Sequence, residues 1–362
     1  MTESNRTGRL VSERLTWGIL VGGALLLRAL FATSRLVLSG DETHYAESLH
    51  HFMRGRIFEG LSDYWSFLYP LAAVPFGLIC RDAEAGLRLL SMLSGAALLI
   101  PSMAIAKEMW GGRAALFTGL FIALHTNLLI CSAAAMTESF FSLLVMLALL
   151  CFLRAARDGG GRSVILTGLL LGLACLVRQE AQILVLIPVI FLLAGAGGNG
   201  ISRPARKRLA SALLLVLFFI LPLLPHAVLL HEKTGRWFVQ SKAAVNLSSP
   251  LIWDDGLERE KFVYTLNEEG TDRRINEIGR TNPLGLLWDG RREIGGRYVR
   301  QLTDAAEQLP LLLVSPFLLL LVPLGLFARR WRMKRRELLI VAVGLFPFCL
   351  LYTSDAADEE DS

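Results

Sequence analysis

The chain has 362 residues, 53% of them hydrophobic, and a mean hydropathy of +0.49. This composition excludes an ordinary soluble globular domain, because apolar runs of about 18 or more residues are typical of helices that cross a membrane. The net charge of +5 comes largely from arginines beside these runs, where they favour anionic lipid headgroups, so it does not indicate nucleic acid as a partner. The five cysteines show neither metal-site spacing nor a disulfide framework.

Nine apolar runs predict nine membrane spans and therefore an all-α polytopic membrane protein. The runs cover residues 16–38, 85–106, 114–132, 138–153, 163–177, 181–197, 209–230, 310–328 and 337–352. The first run is too long for a cleavable signal peptide, and no small-residue cleavage site follows it. The run 67–80 has only 14 residues and contains Pro70 and Pro75, so we expect an interfacial or re-entrant helix in the first outer loop.

Basic residues cluster at five places, and such clusters mark cytoplasmic loops. They lie at 6–14, 107–113, 154–162, 203–208 and 329–336. All five fall on one side of the membrane if the N-terminus is cytoplasmic and if 163–197 crosses twice. This arrangement predicts that Arg178 lies in an outer turn, and that the loops 39–84 and 231–309 are extracytoplasmic.

An acidic pair, Asp41 and Glu42, follows the first span directly. Ser39 and Glu42 have the spacing of a capping box, which explains Glu42 better than Asp41. Tyr45 lies four residues after Asp41 and shares its helix face. Carboxylates beside a bilayer are costly, and one presented on a short outer helix suits a general base that acts on a hydroxyl.

A further acid, Glu138, lies in the predicted outer turn between the third and fourth spans. One interpretation is structural, with Thr137 as the N-cap and Glu138 in the first helical turn. The other is functional, because the alternation of basic cytoplasmic loops with outer loops places Glu138 on the same side of the membrane as Asp41. Two acids there could bind a divalent cation or orient an acceptor.

Two arginines within the apolar part of the chain also require an explanation. Arg178 separates two short spans, where it could snorkel or pair with Glu180, or could bind a phosphate through its bidentate fork. Arg28 lies in the middle of the first span, so we expect it to face the bundle interior or a cavity.

The segment after the seventh span is also basic. His231, Lys233 and Arg236 stand where a lipid phosphate would lie, and Thr234-Gly235 predicts a turn. The alternative is a solvated loop beside the membrane.

Several stretches together resemble a known group of enzymes. They are Asp41-Glu42-xx-Tyr45-Ala46, Tyr69-Pro70-Leu71, Arg88-Leu89, Gly112-Arg113-Ala114-Ala115, Met136-Thr137-Glu138, Gly168-xxx-Gly172-Leu173-Ala174-xx-Val177-Arg178 and Thr234-Gly235-Arg236-Trp237. In their order, their spacing and the side of the membrane on which they are predicted to lie, these stretches resemble motifs of the membrane glycosyltransferases of the C-type fold. The resemblance is to the bacterial branch related to protein O-mannosyltransferases and lipid A aminoarabinose transferases. The resemblance covers 15–348, with Val177 where that family has threonine.

The resemblance implies an integral-membrane glycosyltransferase in the bacterial inner membrane, with its active site on the extracytoplasmic side and 1–348 as one transmembrane domain. A sugar on a polyprenyl phosphate would pass, with inversion, to a hydroxyl of a glycan, lipid or protein. Asp41 and Glu138 would be catalytic, with a divalent metal ion on them left open. The residues that would bind substrate are Glu42, Tyr45, Arg178, His231 and Arg236.

A different class, a multi-span transporter or lipid flippase, is the alternative. Arg28 is the feature that favours it, because a charge near the midplane is typical of a transport pathway. The acids at the outer surface favour the enzyme.

The last residues, 349–362, interrupt an apolar run with an acidic string. The string resembles translated sequencing adapter, so we expect a non-native tail and a longer natural protein. A genuine acidic C-terminus is the other interpretation.

Overall fold

The computed structural model describes residues 3–33, 40–195, 204–235, 237 and 239–240, which form helices and short connections without a strand. The helices are α1 Glu3–Ala32, α2 Gly40–Met53, α3 Ile57–Gly60, α4 Leu68–Cys80, α5 Ala83–Ala97, α6 Leu99–Trp110, α7 Gly112–Leu124, α8 Thr126–Ala133, α9 Glu138–Asp158, α10 Gly161–Val177, α11 Ala181–Leu184, α12 Leu186–Leu193, α13 Ala205–Ile220 and α14 Leu223–Thr234. The predicted spans 310–328 and 337–352 and the tail 349–362 lie outside the described residues.

The prediction of an all-α polytopic membrane protein is confirmed. Within the described part of the chain, 3 helices are long and apolar enough to cross a membrane, namely Glu13–Ala32, Ala83–Trp110 and Glu138–Asp158. The number rises to 5 if the bent pairs α7–α8 and α13–α14 each count as one span. Three shorter apolar helices are Leu68–Cys80, Gly161–Val177 and Ala181–Leu193. The number of spans in the whole chain stays a prediction.

Glycines bring α10 and α13 unusually close together. A Cβ atom added to Gly168 would lie 2.4 Å from the carbonyl oxygen of Leu215, and one added to Gly172 would lie 2.3 Å from that of Phe219. No side chain fits at either distance, so the motif Gly168-xxx-Gly172 allows the two backbones to touch. Small residues at this spacing are typical of helix pairs in membranes.

The short helix α4 packs against both α5 and α2. A Cβ on Gly86 of α5 would lie 2.6 Å from the Cα of Gly77 in α4, so these helices also meet at their backbones. A Cβ on Gly77 would contact Met53 and Leu49 of α2. Through α4, therefore, the acidic helix α2 is held against the long helix α5.

Ion pairs gather several helix ends at one end of the bundle. Lys107 pairs with Glu13. Glu108 lies 2.9 Å from Arg154 and 3.1 Å from Arg157. These contacts join the first half of α1 to the ends of α6 and α9, so three of the predicted basic clusters adjoin one another. The turns that carry Glu138 and Arg178 lie at the other ends of α9 and α10.

Candidate active site

The turn between α10 and α11 presents Arg178 to the start of α9. Helix α10 ends at Val177, and Arg178 then adopts an extended backbone with φ −144° and ψ 136°. Its Nη1 lies 2.5 Å from Oε1 of Glu138, and its Nη2 lies 3.3 Å from Oε1 of Glu180. The Arg178 side chain is only 9% exposed, so this guanidinium lies between two carboxylates in a largely water-free environment.

Thr137 contributes differently from the prediction. It occupies the N-cap position of α9, but its side chain makes no cap hydrogen bond. Its Oγ1 instead accepts a hydrogen bond of 3.3 Å from Nη1 of Arg178. The interpretation of Thr137 as a side-chain cap is therefore wrong, because the buried guanidinium is the stronger donor within its reach.

Glu42 of α2 bonds to the segment just before Glu138. It is 1% exposed, and its Oε1 accepts a hydrogen bond of 2.7 Å from the backbone N–H of Ala135. The capping box did not anticipate this contact, and Ser39 lies outside the described residues. A buried carboxylate that accepts a backbone N–H makes a strong, charge-assisted bond. Glu42 thus fixes the first turn of α2 to the segment before Glu138.

A second connection runs through two buried tyrosines. The rings of Tyr45 and Tyr69 meet edge to face with centroids 5.4 Å apart. The Tyr69 hydroxyl lies 2.7 Å from the hydroxyl of Ser91, which donates to the carbonyl oxygen of Met136 at 2.9 Å. Helices α2, α4 and α5 therefore converge on the residues just before Glu138.

Three charged residues of the predicted site affect the pKa of a fourth, Tyr45. Burial raises the pKa of the Tyr45 phenol well above its usual value; the negative charges of Asp41 and Glu138 raise that pKa further, and the positive charge of Arg178 lowers it. Tyr45 is therefore a neutral hydrogen-bonding group within reach of all three charges. Asp41 is half-buried at the start of α2.

The site also presents shielded acceptor oxygens. Glu138 Oε2, Gln179 Oε1 and Glu180 Oε2 are buried and have no hydrogen-bond partner among the described residues. Buried acceptors normally find donors, and hydroxyl groups of a ligand are suitable ones. These oxygens are therefore candidate acceptors for ligand hydroxyls.

The sequence leaves open a divalent metal ion on Asp41 and Glu138. No group of three or more His, Cys, Asp or Glu side chains in the described residues is arranged to hold a metal ion. The predicted pair Asp41 and Glu138 supplies two carboxylates at most, and Arg178 already neutralises one oxygen of Glu138.

The remaining predicted residues belong to α14 and the segment after it. His231 lies in the last turn of α14, which ends with Gly235 at φ +73° as the predicted turn requires. Lys233 donates to the carbonyl oxygens of Phe58 at 2.8 Å and Leu61 at 2.5 Å, so it anchors α3 and the residue that follows it. Arg236 lies outside the described residues.

Several residues of this site were missed in the sequence. Ser91 and Gln179 were not predicted to take part, Glu180 was predicted only as an ion-pair partner of Arg178, and Tyr69 was noted only as part of a motif. Buried serines in apolar helices were the available signal, because a hydroxyl in a membrane helix usually bonds across to a neighbour.

One comparison with known proteins gives a match. Residues 67–226 match the family model described as dolichyl-phosphate-mannose-protein mannosyltransferase. The matched segment contains Glu138 and Arg178 and begins after Tyr45. It confirms the resemblance to membrane glycosyltransferases and supports a glycosyltransferase of the mannosyltransferase type. No curated protein and no solved structure matches the chain.

Proposed function

We propose that the chain transfers a sugar from a polyprenyl-phosphate carrier to an acceptor hydroxyl, at the end of the bundle that holds Asp41, Glu138 and Arg178. The family match supports glycosyl transfer. The observation that carries the location is the set of contacts that joins α2 to the turn before Glu138: Glu42 accepts the N–H of Ala135, and Glu138 Oε1 lies 2.5 Å from Arg178. The positive-inside rule favours an extracytoplasmic site in a bacterial inner membrane.

In this mechanism Asp41 is the general base. It takes the proton of the acceptor hydroxyl while the acceptor oxygen bonds to the anomeric carbon. The bond from the anomeric carbon to the phosphate oxygen breaks, and its electron pair leaves with the polyprenyl phosphate. Attack opposite the leaving group inverts the anomeric centre. The acceptor is a glycan, a lipid or a protein.

Among the acids near this turn, we assign the role of the base to Asp41. Glu138 is held in an ion pair with Arg178. Glu42 is 1% exposed and already accepts the N–H of Ala135. Asp41 is half-buried at the start of α2, where an acceptor from outside the bundle can approach it.

The shielded oxygens of Glu138, Gln179 and Glu180 support a role in binding the donor sugar. A hexose presents several hydroxyl donors, and each would complete an acceptor that is otherwise buried without one. Tyr45, as a neutral phenol, would add one hydrogen bond to the sugar or to Asp41. Glu42 would act on substrate only through the position of α2.

Arg178 is the cation proposed to meet the leaving phosphate. Its contacts with Glu180 and Thr137 are both 3.3 Å long, and its contact with Glu138 is 2.5 Å. A phosphate would replace the longer contacts and leave the short one in place. His231 and Arg236, at and after the end of α14, are proposed to add positive charge on the lipid side.

Purified protein in liposomes, supplied with mannosyl phosphoryl polyprenol and a mixture of acceptor classes, tests this function. We expect the wild-type protein to release polyprenyl phosphate and to label one acceptor class. Asp41→Asn keeps the shape of the side chain but cannot accept a proton, so transfer should fall at least about a hundredfold.

The matched control for Asp41→Asn is Glu47→Gln, an acid on the exposed face of the same helix. It should transfer at the wild-type rate. Near-normal transfer by Asp41→Asn would leave Asp41 as a residue of the helix start. A wild-type protein that transfers from no polyprenyl-phosphate sugar would contradict the function itself.

The position of Arg28 no longer favours the alternative function, a transporter or lipid flippase. Arg28 is 0% exposed and donates hydrogen bonds to Ser132, Ala24 and Ile122. A guanidinium that is enclosed by protein in this way does not line a transport pathway.

A further inference from the structure

Arg28 is a fully buried cation in the first membrane helix. Its Nη1 donates to the carbonyl oxygen of Ala24 at 3.1 Å, its Nη2 to that of Ile122 at 3.2 Å and its Nε to the hydroxyl of Ser132 at 3.2 Å. Every nitrogen of the guanidinium therefore has an acceptor. A charge enclosed at this depth is expensive, so its retention indicates a specific role.

One of these acceptors lies at a break in the chain's path. Helices α7 and α8 meet at an angle of 56°, with His125 in an extended conformation between them. Ile122 is in the last turn of α7, where carbonyl oxygens have no partner inside their own helix. Arg28 supplies that partner, and its charge lies at the negative end of the α7 dipole.

The hydroxyl of Ser132 links Arg28 to a second serine in α9. Ser132 donates its own proton to the carbonyl oxygen of Leu128. Its oxygen is therefore the acceptor for both Arg28 and Ser139, whose Oγ lies 3.1 Å away. Both serines are buried, and Ser139 follows Glu138 directly in the first turn of α9.

Helix α5 leaves just enough room for this arrangement. A Cβ atom on Gly95 would lie 2.1 Å from Oγ of Ser132 and 2.8 Å from Nε of Arg28. Any side chain at position 95 would displace one or both groups. The hydrogen-bond chain from Arg28 to Ser139 is thus enclosed by α1, α5, α7, α8 and α9.

We propose that Arg28 is a positioning residue for the reaction: through Ser132 and Ser139 it holds the first turn of α9, so that the Glu138 carboxylate meets Arg178. The proposal rests on the proposed function, because it gives Arg28 a role only if Glu138 and Arg178 serve the transfer. Arg28 itself touches no substrate.

The variants Ser139→Ala and Ser132→Ala test the proposal, since each interrupts the chain and leaves the charge of Arg28 in place. The matched control is Ser102→Ala, a buried serine that bonds within its own helix to the carbonyl oxygen of Leu98 at 2.8 Å. We expect kcat of Ser139→Ala to fall about fivefold relative to the control, the rate equivalent of one ordinary hydrogen bond. The donor KM should rise as well, because Glu138 and Arg178 both contact the donor in the proposed function, and the thermal midpoint should match that of the control.

Hydrogen exchange gives a readout that does not require activity. The amide of Phe141 bonds to the carbonyl oxygen of Thr137 in the first turn of α9. In Ser132→Ala and Ser139→Ala this turn should exchange faster than in Ser102→Ala, and the far end of α9 should not change.

The proposal is overturned if exchange in this turn is unchanged, if kcat equals that of the control, or if kcat falls only together with the thermal midpoint. Arg28→Lys adds a check: lysine keeps the charge but cannot reach three acceptors at once, so its kcat should lie below that of wild type. The activity of the wild-type protein judges the proposed function separately.

Discussion

At the scale of single residues, Arg178 supplies the positive charge that pairs with the carboxylates of the candidate site. Its guanidinium is 9% exposed and lies between the carboxylates of Glu138 and Glu180. Removing one partner from such a group leaves a buried charge uncompensated, which is strongly unfavourable. The geometry also explains why a lysine would be a poor substitute, since a single ammonium cannot match a planar fork that reaches several oxygens at once.

We therefore predict that Arg178→Lys weakens donor binding and lowers kcat/KM about tenfold or more, although a positive charge remains. Titration of the purified protein with the polyprenyl-phosphate sugar measures the binding. Arg88→Lys is the control, because Arg88 forms an ion pair of 2.6 Å with Glu84 on its own helix. Equal donor affinity in the wild type and Arg178→Lys would argue against a phosphate contact.

Tyr45 gives a prediction about pH. Its pKa is raised in the folded protein above the ordinary value of 10.0, so above that pH the unfolded chain ionises this phenol while the folded protein keeps it neutral. The unfolded state then binds fewer protons, and stability falls as the pH rises. Tyr45→Phe should remove part of that fall in thermal midpoint, and Tyr64→Phe, at a half-buried tyrosine, serves as the control. Parallel curves for the wild type and Tyr45→Phe would contradict this prediction.

At the scale of elements, the site depends on helices that touch at glycines. The turn that holds Arg178 follows α10, and α10 is held against α13 through Gly168 and Gly172. The added Cβ atoms would meet backbone carbonyls, which cannot rotate away as a side chain can. A substitution here must therefore separate the helices.

We predict that Gly172→Ala destabilises the protein by roughly 1–3 kcal/mol, the usual range for overpacking. Gly161→Ala, at the start of the same helix, should have little effect because nothing lies within 4 Å of the added atom. Thermal unfolding in detergent compares the two variants. An unchanged midpoint for Gly172→Ala would mean that the pair α10–α13 is looser than its backbone contact indicates.

At the scale of the whole molecule, charge separates the two ends of the described bundle. Ion pairs of Glu13, Lys107 and Arg154 gather the basic loops at one end. Glu138 and Arg178 lie at the opposite ends of their helices. The side of the membrane that each end faces follows from the positive-inside rule and stays a prediction.

Labelling with a membrane-impermeant maleimide tests that prediction in a cysteine-free background. His44→Cys, exposed on α2, should react in intact cells. Gly160→Cys, exposed in the loop before α10, should react only after the cells are opened. The reverse pattern would place the proposed reaction in the cytoplasm and exclude a donor in the outer leaflet.

The sequence alone was sufficient for most of the described helices, whereas the roles of the site residues stay predictions. Apolar run length is a local property, so the runs up to 209–230 coincide with described helices. The break at Arg178 could also be predicted, because three polar residues interrupt an apolar stretch between two basic loops. The alternation of basic and non-basic loops was enough to expect Asp41 and Glu138 at the same end of the helix bundle.

Only the tertiary structure decided which groups bond to one another. Glu42 reaches the amide of Ala135, 93 positions away, and Arg28 reaches Ser132, 104 positions away. Such contacts depend on how each helix is rotated and how closely two backbones approach, and a sequence pattern specifies neither quantity. For the same reason Thr137 could be read as a cap, although its hydroxyl accepts from a guanidinium that packing brings from the end of α10.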